Sequence, residues 1–343
     1  MFQFRNDYSV GAHPRVLEAV AATNLEGNIG YGADGYCEKC AALIRTLCRA
    51  PEAKVEFLIG GTQTNFTAIA AFLRPWEGVI CAQSGHINGH EGGAVEATGH
   101  KLFQVPAGPD GKVTVEAMTP VMEACQDIHM AKPGLVYISN ATETGGVYTL
   151  AELEVLSKYC KANGLLLLLD GARLGAALTA EGNDVTLPDL ARLCDAFYIG
   201  GTKNGALMGE ALVIVNPALQ PEFFRLKKQQ GAVLAKGWLL GIQFQTLLEK
   251  GLYWELAKQA NAVATRLQKG LMDKGYAMAN VTSTNQIFPI VPAKLLTGLD
   301  QICTYEVWSK NPDGTVTVRF VTSFASTMED AEGLLAALPD LRG

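Results

Sequence analysis

Leu165-Leu166-Leu167-Leu168-Leu169-Asp170-Gly171-Ala172-Arg173 is the stretch that decides the fold. Five leucines flanked by glycines read as a strand buried on both faces, as in a parallel sheet covered by helices on either side. Asp170 then emerges at the carboxyl end, where open α/β sheets place their ligands, and a carboxylate there needs a cationic partner. A second apolar run, Ala196-Phe197-Tyr198-Ile199, leads into Gly200-Gly201-Thr202-Lys203-Asn204, which sets Lys203 on a turn just beyond another strand. An acid at one strand end and a lysine just after another are the pair that pyridoxal phosphate requires, a carboxylate for the pyridinium nitrogen and an amine for the Schiff base.

Outward from this pair, short apolar runs alternate with helical patterns over residues 50–220, the texture of βα winding. Val55–Ile59, Val79–Ala82, Leu102–Val105, Gly134–Ser139 and Ala211–Val215 read as strands. Thr64–Leu73, His90–Thr98, Glu116–Gln126 and Leu150–Ala162 read as helices. From Pro217 the pattern changes to long helices, Trp238–Leu248 and Leu252–Met272. Asn285–Val291, Ile302–Val307 and Thr315–Val321 then read as strands, and Thr327–Ala337 as a final helix. The expected division is a large domain over 1–249, including the N-terminal segment, and a small α/β domain over 250–343.

The 343 residues are 48% hydrophobic and 18% charged, which describes a globular chain with a sizeable core. A net charge of −6 argues against nucleic acid or an anionic membrane as partner and leaves a small molecule. The N-terminal residues carry no signal-peptide pattern, and no apolar run approaches the ~20 residues that span a bilayer. Eight cysteines scattered through apolar stretches fit reduced thiols in a cytoplasmic core. Cys37-Glu38-Lys39-Cys40 has no second half at zinc spacing, so no metal site is expected.

Gly60-Gly61-Thr62-Gln63-Thr64-Asn65 follows a strand and opens a helix, where backbone N–H groups and the helix N-terminus suit a phosphate. Alone it is more often only a helix cap. With Asp170 and Lys203 it reads as the phosphate site, and the absence of a P-loop or G-x-G-x-x-G pattern disfavours a nucleotide. The order of this turn, Ser84-Gly85-His86, Asp127-Ile128-His129, Ala141-Thr142-Glu143-Thr144-Gly145, Asp170-Gly171-Ala172-Arg173, Gly200-Gly201-Thr202-Lys203-Asn204-Gly205 and Arg319-Phe320-Val321 resembles the low-specificity L-threonine aldolases, from Arg5-Asn6-Asp7 to about Ser323. The Asp-Gly-Ala-Arg and Thr-Lys-Asn-Gly segments are its most specific parts.

The resemblance implies a fold type I (aspartate aminotransferase-like) α/β large domain with a mainly parallel seven-stranded sheet, in homodimers or homotetramers with shared sites. It implies retro-aldol cleavage of β-hydroxy-α-amino acids with pyridoxal 5'-phosphate. Lys203 would bind the cofactor covalently, Asp170 would partner its ring nitrogen, and His86 would stack on the ring. Gly61 and Thr62 would hold the phosphate, with Lys236 contributed by a neighbouring subunit. Arg173 and Arg319 would bind the substrate carboxylate, His129 would face the substrate hydroxyl with His86, and Tyr31 would lie near the cofactor at the interface.

Two positions depart from the pattern. Asn6 stands where most members have Ser, which puts substrate preference in question, and Gly60 replaces a Ser or Asn ligand of the phosphate turn. Each residue also has a plain structural reading: Lys203 as a solvated turn residue, Asp170 as a helix N-cap, His86 and His129 as structural histidines, the arginines as partners of surface acids. The same Lys and Asp would serve a β-eliminating lyase, an aminotransferase or a racemase, and a non-catalytic scaffold could keep the fold.

Overall fold

The leucine run is the central strand of a seven-stranded sheet in the computed structural model, which describes residues 1–342. Gly343, the last residue of the expected small domain, lies outside the described residues. After a two-residue strand β1 (Phe2–Gln3), the sheet is built from β2 (Lys54–Leu58), β3 (Glu77–Ala82), β4 (Leu102–Val105), β5 (Lys132–Ser139), β6 (Leu166–Asp170), β7 (Ala196–Gly200) and β8 (Glu210–Ile214). Their order is β2-β8-β7-β6-β5-β3-β4. All neighbours are parallel except β8, which runs antiparallel to both β2 and β7. The β7–β8 link is too short for a crossover helix, so it closes as a hairpin loop that carries Lys203.

Both faces of the sheet are buried, with the two-residue alternation that a strand imposes. Leu167, Leu169, Phe197 and Ile199 enter one core with Ile44, Leu240 and Phe244 from helices Gly35–Leu47 and Trp238–Leu248. Leu168, Tyr137 and Tyr198 enter the other, against Ala68 and Ile69 of helix Gly61–Phe72. Asp170, two residues beyond Leu168, shares the face of Tyr137 and Tyr198, which aims it beneath that helix.

After helix Leu252–Asp273, a smaller sheet is formed by β9 (Gln286–Ile287), β10 (Ile290–Pro292), β12 (Glu306–Lys310) and β13 (Thr315–Val321), with β11 (Cys303–Thr304) in a separate two-stranded sheet. β10, β13 and β12 lie side by side, β9 pairs with β13, and β11 pairs with β1 alone. Helix Met328–Ala337 packs with Leu252–Asp273 behind them. Phe4 is fully buried with Val263 and Phe320, so residues 2–4 of the segment expected with the large domain pack in this C-terminal layer, whereas Ala12 and Val16 join the core of the large sheet.

Three local expectations differ from the structure. His90–Thr98 is not a helix: a single turn His86–Gly89 is followed by irregular chain and a 3-10 turn Glu96–Thr98. Gly92 and Gly93 take φ of 60° and 75°, a left-handed pair that no right-handed helix accommodates. Asn285–Val291 is interrupted at Pro289, which has no N–H to donate to a ladder. Ile302–Val307 divides between β11 and β12. Cys37 and Cys40 lie buried in helix Gly35–Leu47, and burial pushes both thiols up, the reverse of a metal-binding or redox thiolate. No helix among the described residues is long and apolar enough to cross a membrane.

The ends of β6 and β7 approach so closely that a Cβ on Gly171 would sit 1.8 Å from the Tyr198 carbonyl oxygen. Gly171→Ala is expected to destabilise by about 1–3 kcal/mol or more, because backbone must shift. Gly298→Ala, in the exposed helix Leu296–Ile302 with open space around it, should instead stabilise by up to about 1 kcal/mol. Urea unfolding midpoints of the two variants moving in the same direction would contradict this account of the strand ends.

Candidate active site

The carboxyl ends of β5, β6 and β7, the start of helix Gly61–Phe72 and the edge of the C-terminal layer enclose a cavity of about 430 Å³, within the size range of cofactor sites. Gly61, Thr62, His86, Asp170, Arg173, Lys203 and Arg319 all line it. These sequence-separated candidates therefore meet in one place.

Asp170 is 5% exposed and well supplied with donors. Oδ1 accepts from the Ala172 amide at 2.9 Å, and Oδ2 accepts from Asn65 Nδ2 at 3.1 Å and from the Tyr137 hydroxyl. Burial acts to raise its pKa, but hydrogen bonding from Tyr137 and the Ala172 amide, with the Lys203 charge, holds it below the usual carboxylate range. Asp170 is thus a fixed anion, and it caps no helix, since the N-cap of the following helix is Arg173.

Lys203 lies in the β7–β8 loop, which is closed by Gly201 and Thr202 amides donating to the Gly209 carbonyl. Burial and the Arg173 charge lower its pKa against the opposing pull of Asp7, Asp170 and Glu210. Its amine is therefore easier to deprotonate than a surface lysine, the property that carbonyl chemistry demands. Glu210, the first residue of β8, accepts from the Gly201 amide at 3.0 Å, and burial shifts its pKa upward.

His86 stands at the start of its single helical turn, its amide donating to Glu143 Oε1 at 2.9 Å. Nδ1 is 2.7 Å from Oε1 of Glu91, whose side chain is wholly buried, and the same oxygen accepts from Asn65 Nδ2 at 2.8 Å. With Nδ1 held by an acid, Nε2 is the nitrogen free to accept a proton. Glu143, raised by burial and by the neighbouring Asp170 charge, also accepts from Ser139 Oγ at 2.8 Å.

Each arginine of the cavity is met by an internal carboxylate. Arg173 Nε and Nη2 bind Asp7 Oδ2 and Oδ1 at 2.8 and 3.1 Å, and Asn285 donates to Asp7 at 2.9 Å. Burial acts to raise Asp7, but the Arg173 and Lys203 charges keep it ionised. Arg319 pairs with Glu306, donates to Gln286 Oε1 at 3.3 Å and lies 5.2 Å from the Trp308 ring centroid. Tyr8 and Trp308 complete the wall.

The remaining candidates stand elsewhere. Asn6 Oδ1 accepts from the Tyr8 amide and the Ser9 hydroxyl at 3.0 and 2.7 Å, shaping the turn that presents Asp7 and Tyr8 rather than lining the cavity. His129 is exposed in the turn after helix Val115–Ala124, its amide bonded to Asp127. Tyr31, 51% exposed, lies under the Lys228 ammonium, and Lys236 is exposed nearby. Asp7, Glu91, Glu210 and Glu306 were not singled out in the sequence. Only Asp7 carried a signal, as an acid inside the Arg5-Asn6-Asp7 match.

The site fits pyridoxal phosphate. Gly60 in extended conformation opens helix Gly61–Phe72, and among the described residues no side chain caps it, leaving its first amides for an outside acceptor. A fixed carboxylate and a low-pKa amine face the same space.

A family model for β-eliminating lyases matches residues 3–294. A low specificity L-threonine aldolase of Pseudomonas sp. is 32% identical over 84% of this chain and 81% of its own. A solved Leishmania major threonine aldolase superposes with a TM-score of 0.96 at 46% identity, over 98% of both chains. A Thermus thermophilus aspartate aminotransferase mutant, at 13% identity and a TM-score of 0.72 over 98% of this chain and 90% of its own, shares the fold. The chain thus has the fold type I architecture and belongs to the β-eliminating lyase family of pyridoxal-phosphate enzymes, among the threonine aldolases.

Proposed function

We propose that this protein cleaves L-threonine, L-allo-threonine and related β-hydroxy-α-amino acids between Cα and Cβ, giving glycine and an aldehyde. The observation that carries this reading is the convergence, in one cavity, of the Asp170 anion, the Lys203 amine, the open helix start at Gly61 and two arginines. Pyridoxal phosphate, when bound, supplies an electron sink for the pair released as a bond to Cα breaks. Asp170 would stand at its ring nitrogen, Lys203 would hold it covalently, Gly61 and Thr62 would take its phosphate, and His86 would lie against its ring.

The protein's own residues do the rest. Arg173, fixed by Asp7, and Arg319 hold the substrate carboxylate by two-point contacts and so set which bond at Cα breaks. His86 takes the β-hydroxyl proton at Nε2, with Glu91 stabilising the resulting imidazolium. The Lys203 amine, kept less basic by burial, would be the group that holds the cofactor and is available to carry a proton within the cavity. His129, Tyr31 and Lys236, exposed in one chain, serve a site contributed to by a neighbouring subunit, and we read the protein as a homodimer or homotetramer. Eight free cysteines, seven of them buried, support a cytoplasmic location.

Incubating the purified enzyme with a panel of β-hydroxy amino acids should release glycine and aldehyde together; amino-acid turnover without aldehyde would favour another reaction on this fold. Lys203→Ala is expected to lose both turnover and the visible absorbance of the bound cofactor, and retention of both would remove Lys203 from the chemistry. Asp170→Asn should keep the cofactor but lose on the order of a hundredfold or more in kcat, because an amide cannot hold the ring nitrogen's proton. His86→Phe should lower kcat by ~10²–10⁴-fold on both threonine diastereomers, and a loss below about tenfold would move the base to another group.

A further inference from the structure

The two cavity arginines are paired in different ways. Asp7 is 2% exposed and held on three sides, by two Arg173 nitrogens and Asn285, so it is a permanent part of the wall. Glu306 is directly opposite Arg319 on neighbouring antiparallel strands, and its side chain is 49% exposed whereas that of Arg319 is 12% exposed. It belongs to β12, an edge strand whose other face is unpaired in the sheet. Among the described residues, Arg319 is its one charged partner within ion-pair distance. Arg319 Nε is buried without a hydrogen-bond partner, so the guanidinium is not saturated by Glu306 and Gln286.

We propose that Glu306 is an internal surrogate for the substrate carboxylate: it occupies Arg319 in the free enzyme, is displaced when an amino acid binds, and thereby sets affinity for carboxylate ligands. The proposal rests on Arg319 being a substrate-carboxylate residue, as read above. The chemistry of the two contacts is the same, a carboxylate on a guanidinium, and both cannot use the same edge of the arginine. The competitor can leave because its carboxylate enters water on rotation, whereas a buried acid such as Asp7 would leave an uncompensated charge. Trp308, under the guanidinium, keeps Arg319 in place while the partner changes. Arg319 therefore need not search for its ligand, and the exchange costs the substrate one ion pair half open to water.

The test uses holoenzyme with glycine as probe, its binding measured by calorimetry, alongside steady-state kinetics on threonine. Glu306→Gln should lower the glycine Kd and the threonine KM by about two- to fivefold, with the change in KM rather than kcat. Ethanolamine, which lacks the carboxylate, should show no such gain. In an Arg319→Gln background, itself weakened for glycine, Glu306→Gln should give no further tightening. Unchanged or weaker glycine binding in Glu306→Gln, or an equal gain for ethanolamine, would overturn the surrogate role. Should Arg319→Gln bind glycine as the parent does, the reading of Arg319 fails, and the proposal with it. Loss of aldehyde release in the parent enzyme would instead count against the aldolase assignment alone.

Discussion

A carboxylate buried at the end of the central strand is the constraint around which this molecule is organised. Ionised Asp170 in a nearly dry position is tolerable only with donors and positive charge on every side. Those come from distant segments: Asn65 from a helix, Tyr137 from β5, the Ala172 amide from the turn, Lys203 from the hairpin loop. Through Asn65 and Glu91 the same network reaches His86. Fixing one charge thus fixes the amine, the imidazole and the helix start relative to each other, which is the preorganisation that acid–base chemistry needs.

The antiparallel strand β8 is the second organising element. In a wholly parallel sheet the link after β7 would run through a crossover helix and carry its side chains away from the strand ends. As a hairpin, it returns at once, so Lys203 stays over the carboxyl end of the sheet beside Asp170. The glycines on either side allow this, since Gly171 and Gly200 sit where backbone carbonyls leave no space for a Cβ.

Much of this was legible in the sequence where a local rule dominates. Five leucines before an acid and Gly-Gly-Thr after a strand each identify a strand end, and the family resemblance drew the arginines and His86 into the same site. His90–Thr98 was misread because apolar spacing was weighed above Gly92-Gly93, whose left-handed backbone takes the chain out of a helix. The partners Asp7, Glu91 and Glu306 were not legible as such. Their roles depend on contacts made across the fold, 166 residues apart for Asp7 and Arg173, and no periodicity encodes such a meeting. His129, Tyr31 and Lys236 were named from resemblance, and a single chain leaves them on its surface.

The anchoring of strand β1 ties the grip on a cavity arginine to distant parts of the chain. β1 pairs with Cys303–Thr304, and the Phe4 carbonyl accepts from the Val321 amide. Residues 2–4 therefore dock only on segments some three hundred positions further along the chain. Asp7 lies three residues beyond Phe4, so the docking of that strand helps position the acid that grips Arg173. Strands β3 to β7 pair with neighbours much closer in sequence, whereas Arg173 meets its orienting partner across 166 residues. Loosening a strand of two residues would in this way slacken the grip on a cavity arginine while leaving the central sheet intact.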